Sequence, residues 1–155
     1  SLRCANSTGE ALRETTYHEW KRRVGCELYE HYGVSEFQLV IGQGPRHPVK
    51  PGSVGKPEPG VEVAILDDRD KPVRPGEMGY LAISAQDPGL FLGYYKDPER
   101  TANALKEGWY RAGDLAIRTQ RDTSSLPGAV TTVLRAGEFL SRRQRSKTPC
   151  RDIPL

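Results

Sequence analysis

The sequence predicts a mixed α/β fold, rich in strands and paired mainly antiparallel. Three observations lead there. "GEALRETTYHEWKRRV" (residues 9–24) has helical spacing, with Leu12, Tyr17, Trp20 and Val24 recurring between charges. "VEVAILD" and "MGYLAIS" are short apolar runs separated by the loop "DRDKPVRPGE", as in antiparallel neighbours. The 12 prolines and 16 glycines among 155 residues then require many turns between short elements.

The elements follow in order. The helix over 9–24 ends at Gly25, a residue that readily adopts the left-handed conformation of a helix C-terminus. Ser7 or Thr8 stands where a helix cap is wanted. "CELYEHYG" alternates as a short strand running into a turn at Gly33. "QGPRHPVKPGSVGKPEPG" carries too much Pro and Gly for regular structure and reads as a long loop. The strands over 61–67 and 78–84 come next. "DPERTANAL" starts a helix, with Asp97 as cap, Pro98 in the first turn and Glu99 near the positive end. "GWYRAGDLAI" reads as a turn followed by a strand, and no internal repeat is visible.

Composition narrows the function classes. No run of eighteen apolar residues exists, so no membrane span is expected. Cys4, Cys26 and Cys150 form neither a close pair nor a metal-ligand spacing, which fits a reducing, cytoplasmic setting. His18, His31 and His47 are equally dispersed and read as structural or surface residues. The net charge of +3 hides an asymmetry: residues 1–118 carry 16 Lys+Arg against 17 Asp+Glu, and residues 119–155 carry 7 against 3. A basic tail can attract nucleic acid, but this one has Phe139 as its sole aromatic, so it offers no stacking platform for single strands.

Three stretches can carry chemistry. In "YEHYGVSE", Tyr32 offers a flat face for a base and Gly33 a backbone free of side-chain clash. Ser35 offers a hydroxyl to phosphate, and Glu36 a carboxylate to a hard cation such as Mg²⁺. The same stretch also reads as an ordinary strand-to-turn transition. In "GDL", Asp114 can accept hydrogen bonds from two ribose hydroxyls, or can form an Asx-turn with its own backbone. In "STGEAL", small residues before a helix let a planar ring lie on the backbone, or simply cap the helix.

Taken together, "STGEAL", "YGVSE", "GYYKDPERTANAL" and "GWYRAGDLA", in this order, resemble the middle-to-late motifs of the AMP-forming acyl-CoA synthetases of the adenylate-forming superfamily. The connecting segment over 51–84 is similar too, and the resemblance covers about residues 1–118. Its loop and "GYYKDPERTA" run look most like medium-chain acyl- or aryl-CoA ligases. The resemblance implies a strand-rich piece of the large N-terminal domain of such an enzyme. It implies ATP, a carboxylic acid and coenzyme A as substrates: the acid attacks the α-phosphate to give an acyl-adenylate, and the CoA thiol then displaces AMP. Carried onto this chain, Gly9, Glu10 and Ala11 would line the adenine, and Tyr32, followed by Gly33, would stack on it. Ser35, where the family usually has Thr, would contact phosphate; Glu36 would bind Mg²⁺; Asp114 would hold the ribose. Val34 and "EFQLVIG" would lie near the acyl pocket, and this run departs from the commoner "ETG".

Three family parts are missing from these residues: the Ser/Thr/Gly-rich phosphate loop with its Lys, the ribose-binding Arg beyond the "GDL" strand, and the small domain with the catalytic Lys. The start at Ser1, without Met, reads as falling inside an element and suggests a fragment. The expectation is a partial AMP-binding domain over 1–118 that binds nucleotide better than it turns over. Residues 119–155 lack the family pattern, but a one-base frame shift near Arg118 and Thr119 would restore it. Thr131 and Thr132, whose codons begin AC, would supply the second and third bases of the Asp-Asp codons that the family has there. A tail made this way has little apolar area to offset chain entropy and is expected to be irregular, with strand character only in "AVTTVL".

Overall fold

A computed structural model describes residues 1–46 and 48–119, together with the backbone of Val130–Arg135. The readings of His47, Cys150 and the rest of the tail lie outside the described residues. The chain begins with β1 (Cys4–Ser7), α1 (Glu14–Val24), β2 (Glu27–Val34) and β3 (Phe37–Gly42). It continues through the two-residue β4 (Lys56–Pro57), β5 (Val63–Leu66), β6 (Met78–Ser84) and α2 (Pro98–Ala104). Short β7 (Leu105–Lys106), long β8 (Trp109–Arg118) and β9 (Val130–Arg135) complete it.

Two sheets result, in the orders β1-β2-β3-β4 and β5-β6-β8-β7, with β9 also on β8. Every pairing is antiparallel except β1 with β2, where Cys4 faces Glu27 and Ser7 faces Glu30. Phe37, Val40 and Ile41 from β3 meet Ile65, Leu81, Ile83, Tyr110 and Ala116 from the other sheet in one buried cluster. Burying such side chains stabilises by roughly 1.5–3 kcal/mol each. This apolar contact sets the two sheets against each other.

Several expectations need correction. The first helix starts at Glu14, not Gly9, and Ser7 belongs to β1 rather than to a helix cap. Parallel pairing holds residues 4–7 extended, Gly9 turns at φ +95°, and the Glu30 carboxylate accepts the Leu12 N–H at 2.9 Å. The chain is therefore committed elsewhere before a helix can begin. The C-terminus is as expected: Gly25 is left-handed and donates to the Lys21 carbonyl. Tyr17 packs inward, its hydroxyl 3.0 Å from Glu27, and the Trp20 indole N–H reaches the Cys26 carbonyl.

Gly33 lies inside β2 rather than in a turn, and "FQLVIG" forms β3 ahead of the long loop. Gly108 turns ahead of β8 as expected, and the strand then runs from Trp109 to Arg118, so "GDL" lies within it. "VEVAILD" narrows to Val63–Leu66, while "MGYLAIS" is β6 end to end. α2 has the anticipated cap, with Asp97 accepting from the Arg100 N–H at 2.9 Å. The strand character expected of "AVTTVL" is found at Val130–Arg135, whose backbone pairs with Asp114–Arg118. The reason lies in β8, which extends past β7 and leaves an edge for a β-branched run to join.

Candidate nucleotide site

The site is built around the end of β2. Because β1 and β2 run parallel, the loop after β1 emerges beside the later residues of β2. Such carboxyl ends of parallel strands are where α/β sheets commonly receive ligands. Gly9, Glu10 and Ala11 occupy that loop and are exposed. The carboxylate tie from Glu30 to the Leu12 N–H fixes the loop's far end. Glu30, which anchors the loop, and Tyr32 alternate onto the same face of β2.

Glu30 is a buried charge-bearing residue, only 5% exposed. Burial pushes its carboxyl above the usual range, and the Leu12 N–H partly offsets this. Its backbone is tied to Gln43 in both directions, at 2.9 and 3.2 Å, and the Gln43 amide reaches the Lys50 and Ser53 carbonyls. The long Pro/Gly loop is thereby anchored behind the site.

Tyr32 and Asp114 are 82 residues apart and belong to different sheets, yet the Tyr32 hydroxyl donates to Asp114 Oδ2 at 2.7 Å. A β-bulge in β8 accomplishes this. Leu115 faces Tyr80 and Arg111 faces Ala82, so Ala112–Asp114 form the irregular stretch between them. Gly113 takes φ +79° within it. Asp114 thus turns towards β2 from a bulge, rather than from the Asx-turn that its sequence also allowed.

Ser35 and Glu36 form the two-residue turn between β2 and β3, with Val34 facing Phe37. Ser35 is exposed at the tip, while Glu36 is half-buried. The turn needs Gly33: a Cβ there would lie 1.7 Å from the Gln38 carbonyl oxygen. Of the run assigned to an acyl pocket, Phe37, Val40 and Ile41 are buried in the core, and Gln38 and Leu39 are exposed.

Glu36 has partners that sequence reading missed. The Tyr94 hydroxyl donates to Glu36 Oε1 at 2.6 Å. Tyr110, 3% exposed, interacts with both Glu36 and Tyr94. Burial, the largest influence, pushes the Glu36 carboxyl up, but Tyr94, its own backbone N–H, Tyr110 and the Arg100 charge together hold it below the usual range. Glu36 is therefore an ionised carboxylate at neutral pH. "GYY" and "GWY" stood out in the sequence as motif strings, but neither string says that its tyrosine reaches Glu36.

Among the described residues no three His, Cys, Asp or Glu side chains cluster as a self-sufficient metal cage. An ionised, half-exposed Glu36 fits a cation such as Mg²⁺ that takes one protein carboxylate and fills its shell from phosphate and water. A hollow of about 500 Å³ lies beside α2, lined by Leu92, Gly93, Tyr94, Lys96 and Thr101 among others, and none of the anticipated site residues lines it.

Residues 1–95 match the model of the AMP-binding enzyme family. The chain is 35% identical over 120 residues to the uncharacterized acyl–CoA ligase YtcI of Bacillus subtilis, covering 77% of this chain and 23% of that protein. It is 36% identical over 117 residues to the mitochondrial acyl-coenzyme A synthetase ACSM3 of Mus musculus, covering 74% and 20%. Among solved structures, a benzoate CoA ligase from Burkholderia xenovorans LB400 superposes with TM-score 0.77 at 26% identity, over 88% of this chain and 26% of that one. The anthranilate CoA ligase AuaEII, solved with anthranoyl-AMP, gives TM-score 0.72 at 28% identity, over 83% and 23%. The chain thus spans about a fifth to a quarter of the length of these relatives. No described helix is long and apolar enough to cross a membrane. With the matched residues holding β1, β2, β3 and the segment leading to α2, the chain belongs to the AMP-binding enzyme family, in which its likeness is to acid–CoA ligases.

Proposed function

We propose that these residues form the nucleotide-binding part of a ligase that activates a carboxylic acid as its acyl-adenylate and passes the acyl group to coenzyme A. The observation that carries this reading is the 2.7 Å bond between Tyr32 and Asp114. It joins a base-stacking candidate on one sheet to a ribose-binding candidate on the other. Tyr32 would lie against the adenine while Gly9, Glu10 and Ala11 line its edge. The Asp114 carboxylate, oriented by the Tyr32 hydroxyl, would accept from the ribose hydroxyls. Ser35 at the exposed turn would donate to the α-phosphate. Glu36 would hold Mg²⁺, whose charge offsets the negative charge that grows on the phosphate oxygens as the acid attacks and pyrophosphate departs. The relatives named for benzoate and anthranilate favour an aryl acid, and the likeness of the loop and "GYYKDPERTA" run keeps a medium-chain acyl acid as the alternative. For the present residues the direct expectation is binding of the adenylate, not turnover.

Calorimetric titration with AMP, ATP and a non-hydrolysable acyl-adenylate tests this. Saturable binding, tighter for ATP with Mg²⁺ and weakened at least about tenfold in Tyr32→Ala and Asp114→Ala, supports the site; tenfold corresponds to about 1.4 kcal/mol. Absence of nucleotide binding, with salt-sensitive DNA binding in its place, would overturn it. We further propose that the chain beyond Arg118 is encoded in a shifted frame. The nucleotide sequence decides that point: a ligase reading frame lies beneath the tail, or the idea fails.

A further inference from the structure

We propose that Tyr94 and Tyr110 are positioning residues for Glu36, fixing its carboxylate in the free protein in the orientation that meets a nucleotide-bound divalent cation. The inference rests on the reading above and adds two residues to it. A glutamate on a two-residue turn ordinarily keeps most of its rotamer freedom, which costs up to about 2 kcal/mol to remove on binding. Here that freedom is removed beforehand. Tyr94 donates to Glu36 Oε1 at 2.6 Å, and Tyr110 approaches the same carboxylate from β8. The main chain is pinned as well, because the Phe91 N–H donates to the Glu36 carbonyl at 2.8 Å.

Tyr94 is itself held on several sides. Its ring meets Phe91 edge-on at 4.9 Å, and the Arg100 guanidinium lies 3.9 Å from its centroid. Its N–H donates to the Thr101 hydroxyl at 2.9 Å, and that hydroxyl donates to the Asp97 carbonyl. Gly93, at φ +139°, lets the chain pass Thr101, whose methyl would be 3.1 Å from an added Cβ. Phe91 also contacts Tyr110 edge-on at 5.6 Å. The segment before α2 and the start of β8 thus act together as a bracket on the hairpin turn. A fold cross-link alone would not require a half-exposed carboxylate at its centre. Outer partners of this kind set the orientation of metal-binding carboxylates, and their loss typically weakens metal affinity by about 10–100-fold.

The test uses the full chain as wild type, Tyr94→Phe, Glu36→Gln and the double variant. Two quantities are read: the ¹³C resonance of the Glu36 carboxyl carbon without ligand, and the affinity for ATP with and without Mn²⁺. Tyr94→Phe is expected to move the resonance. It should weaken Mn²⁺–ATP binding about tenfold, leave metal-free ATP binding unchanged, and cost nothing further in Glu36→Gln. An unmoved resonance would overturn the proposal, as would an equal loss without Mn²⁺ or an undiminished loss in the Glu36→Gln background. If Glu36→Gln leaves Mn²⁺–ATP affinity untouched, or if no nucleotide binds, the metal reading of Glu36 fails; the resonance then decides the positioning role alone. Tyr110→Phe supplies the same measurements should Tyr94→Phe not fold.

Discussion

The hairpin turn at Ser35–Glu36 and the bulge at Gly113–Asp114 each present a carboxylate where a strand loses regularity, and each depends on a glycine for a different reason. At Gly33 the difficulty is space: an added Cβ would fall 1.7 Å from the Gln38 carbonyl oxygen, which belongs to the backbone and cannot swing aside. At Gly113 the difficulty is torsional: φ is +79°, but nothing lies within 4 Å of an added Cβ. The hairpin is thus closed by packing, and the bulge by backbone conformation. The two carboxylates resemble each other more than their supports do, since each accepts a tyrosine hydroxyl, at 2.6 Å for Glu36 and 2.7 Å for Asp114.

That contrast can be broken by substitution. Gly33→Ala is expected to cost about 3 kcal/mol or more in urea unfolding, the upper end of overpacking, because two backbone segments must separate. A cost near zero would mean that the hairpin opens easily. Tyr32→Phe comes next. It removes a hydrogen bond to a charged acceptor and should cost about 1.5–3 kcal/mol, while the ring remains to stack on a base. Nucleotide affinity should then fall less in Tyr32→Phe than in Tyr32→Ala. Gly113→Ala should cost about 1–2 kcal/mol, the penalty for a left-handed residue in open space. If it proved as damaging as Gly33→Ala, the distinction between packing and torsion would be lost.

The smallest effects concern pH and have opposite signs for Glu36 in the hairpin turn and Glu30 on β2. The folded-state carboxyl of Glu36 is lowered, so its contribution is complete above the ordinary glutamate value, about pH 4.3, and is lost as pH falls through the lowered value. Tyr94→Phe should shrink that acid loss in melting curves taken between about pH 5 and 3. Glu30 is raised by burial, so its contribution is complete below the ordinary value and is lost as pH rises through the raised one. Glu30→Gln keeps an acceptor for the Leu12 N–H and should gain on wild type as pH rises from about 4 to 7. A constant difference between the two proteins over that range would contradict the buried, charge-costing role given to Glu30.

The residues of the site were more legible than their geometry. Tyr32, Ser35, Glu36 and Asp114 were candidates by side-chain chemistry, each with an ordinary structural reading beside it, and the combination of motifs gave them their expected roles. β6 and the Asp97 cap could be read because a short apolar run after a loop and a capping carboxylate are local properties. β1 could not: "CANS" has no apolar alternation, and it becomes a strand only because β2 lies beside it. The bulge in "RAGDL" was equally hidden, since its Gly looks the same in a turn and in a strand.

By itself, then, the sequence determined the chemical inventory: which side chains are candidates to meet a nucleotide, where β6 and the Asp97 cap stand, and which family pattern they follow. The tertiary structure alone decided who meets whom. Tyr32 and Asp114 are 82 residues apart, and Glu36 and Tyr94 are 58 apart. Such contacts form because two apolar sheet faces bury Phe37, Ile41, Leu81 and Tyr110 against one another, and only then do hydroxyl and carboxylate come within reach. A hydrogen bond is directional and short-ranged, whereas burial of apolar area is neither; the second must bring the chain together before the first can select partners.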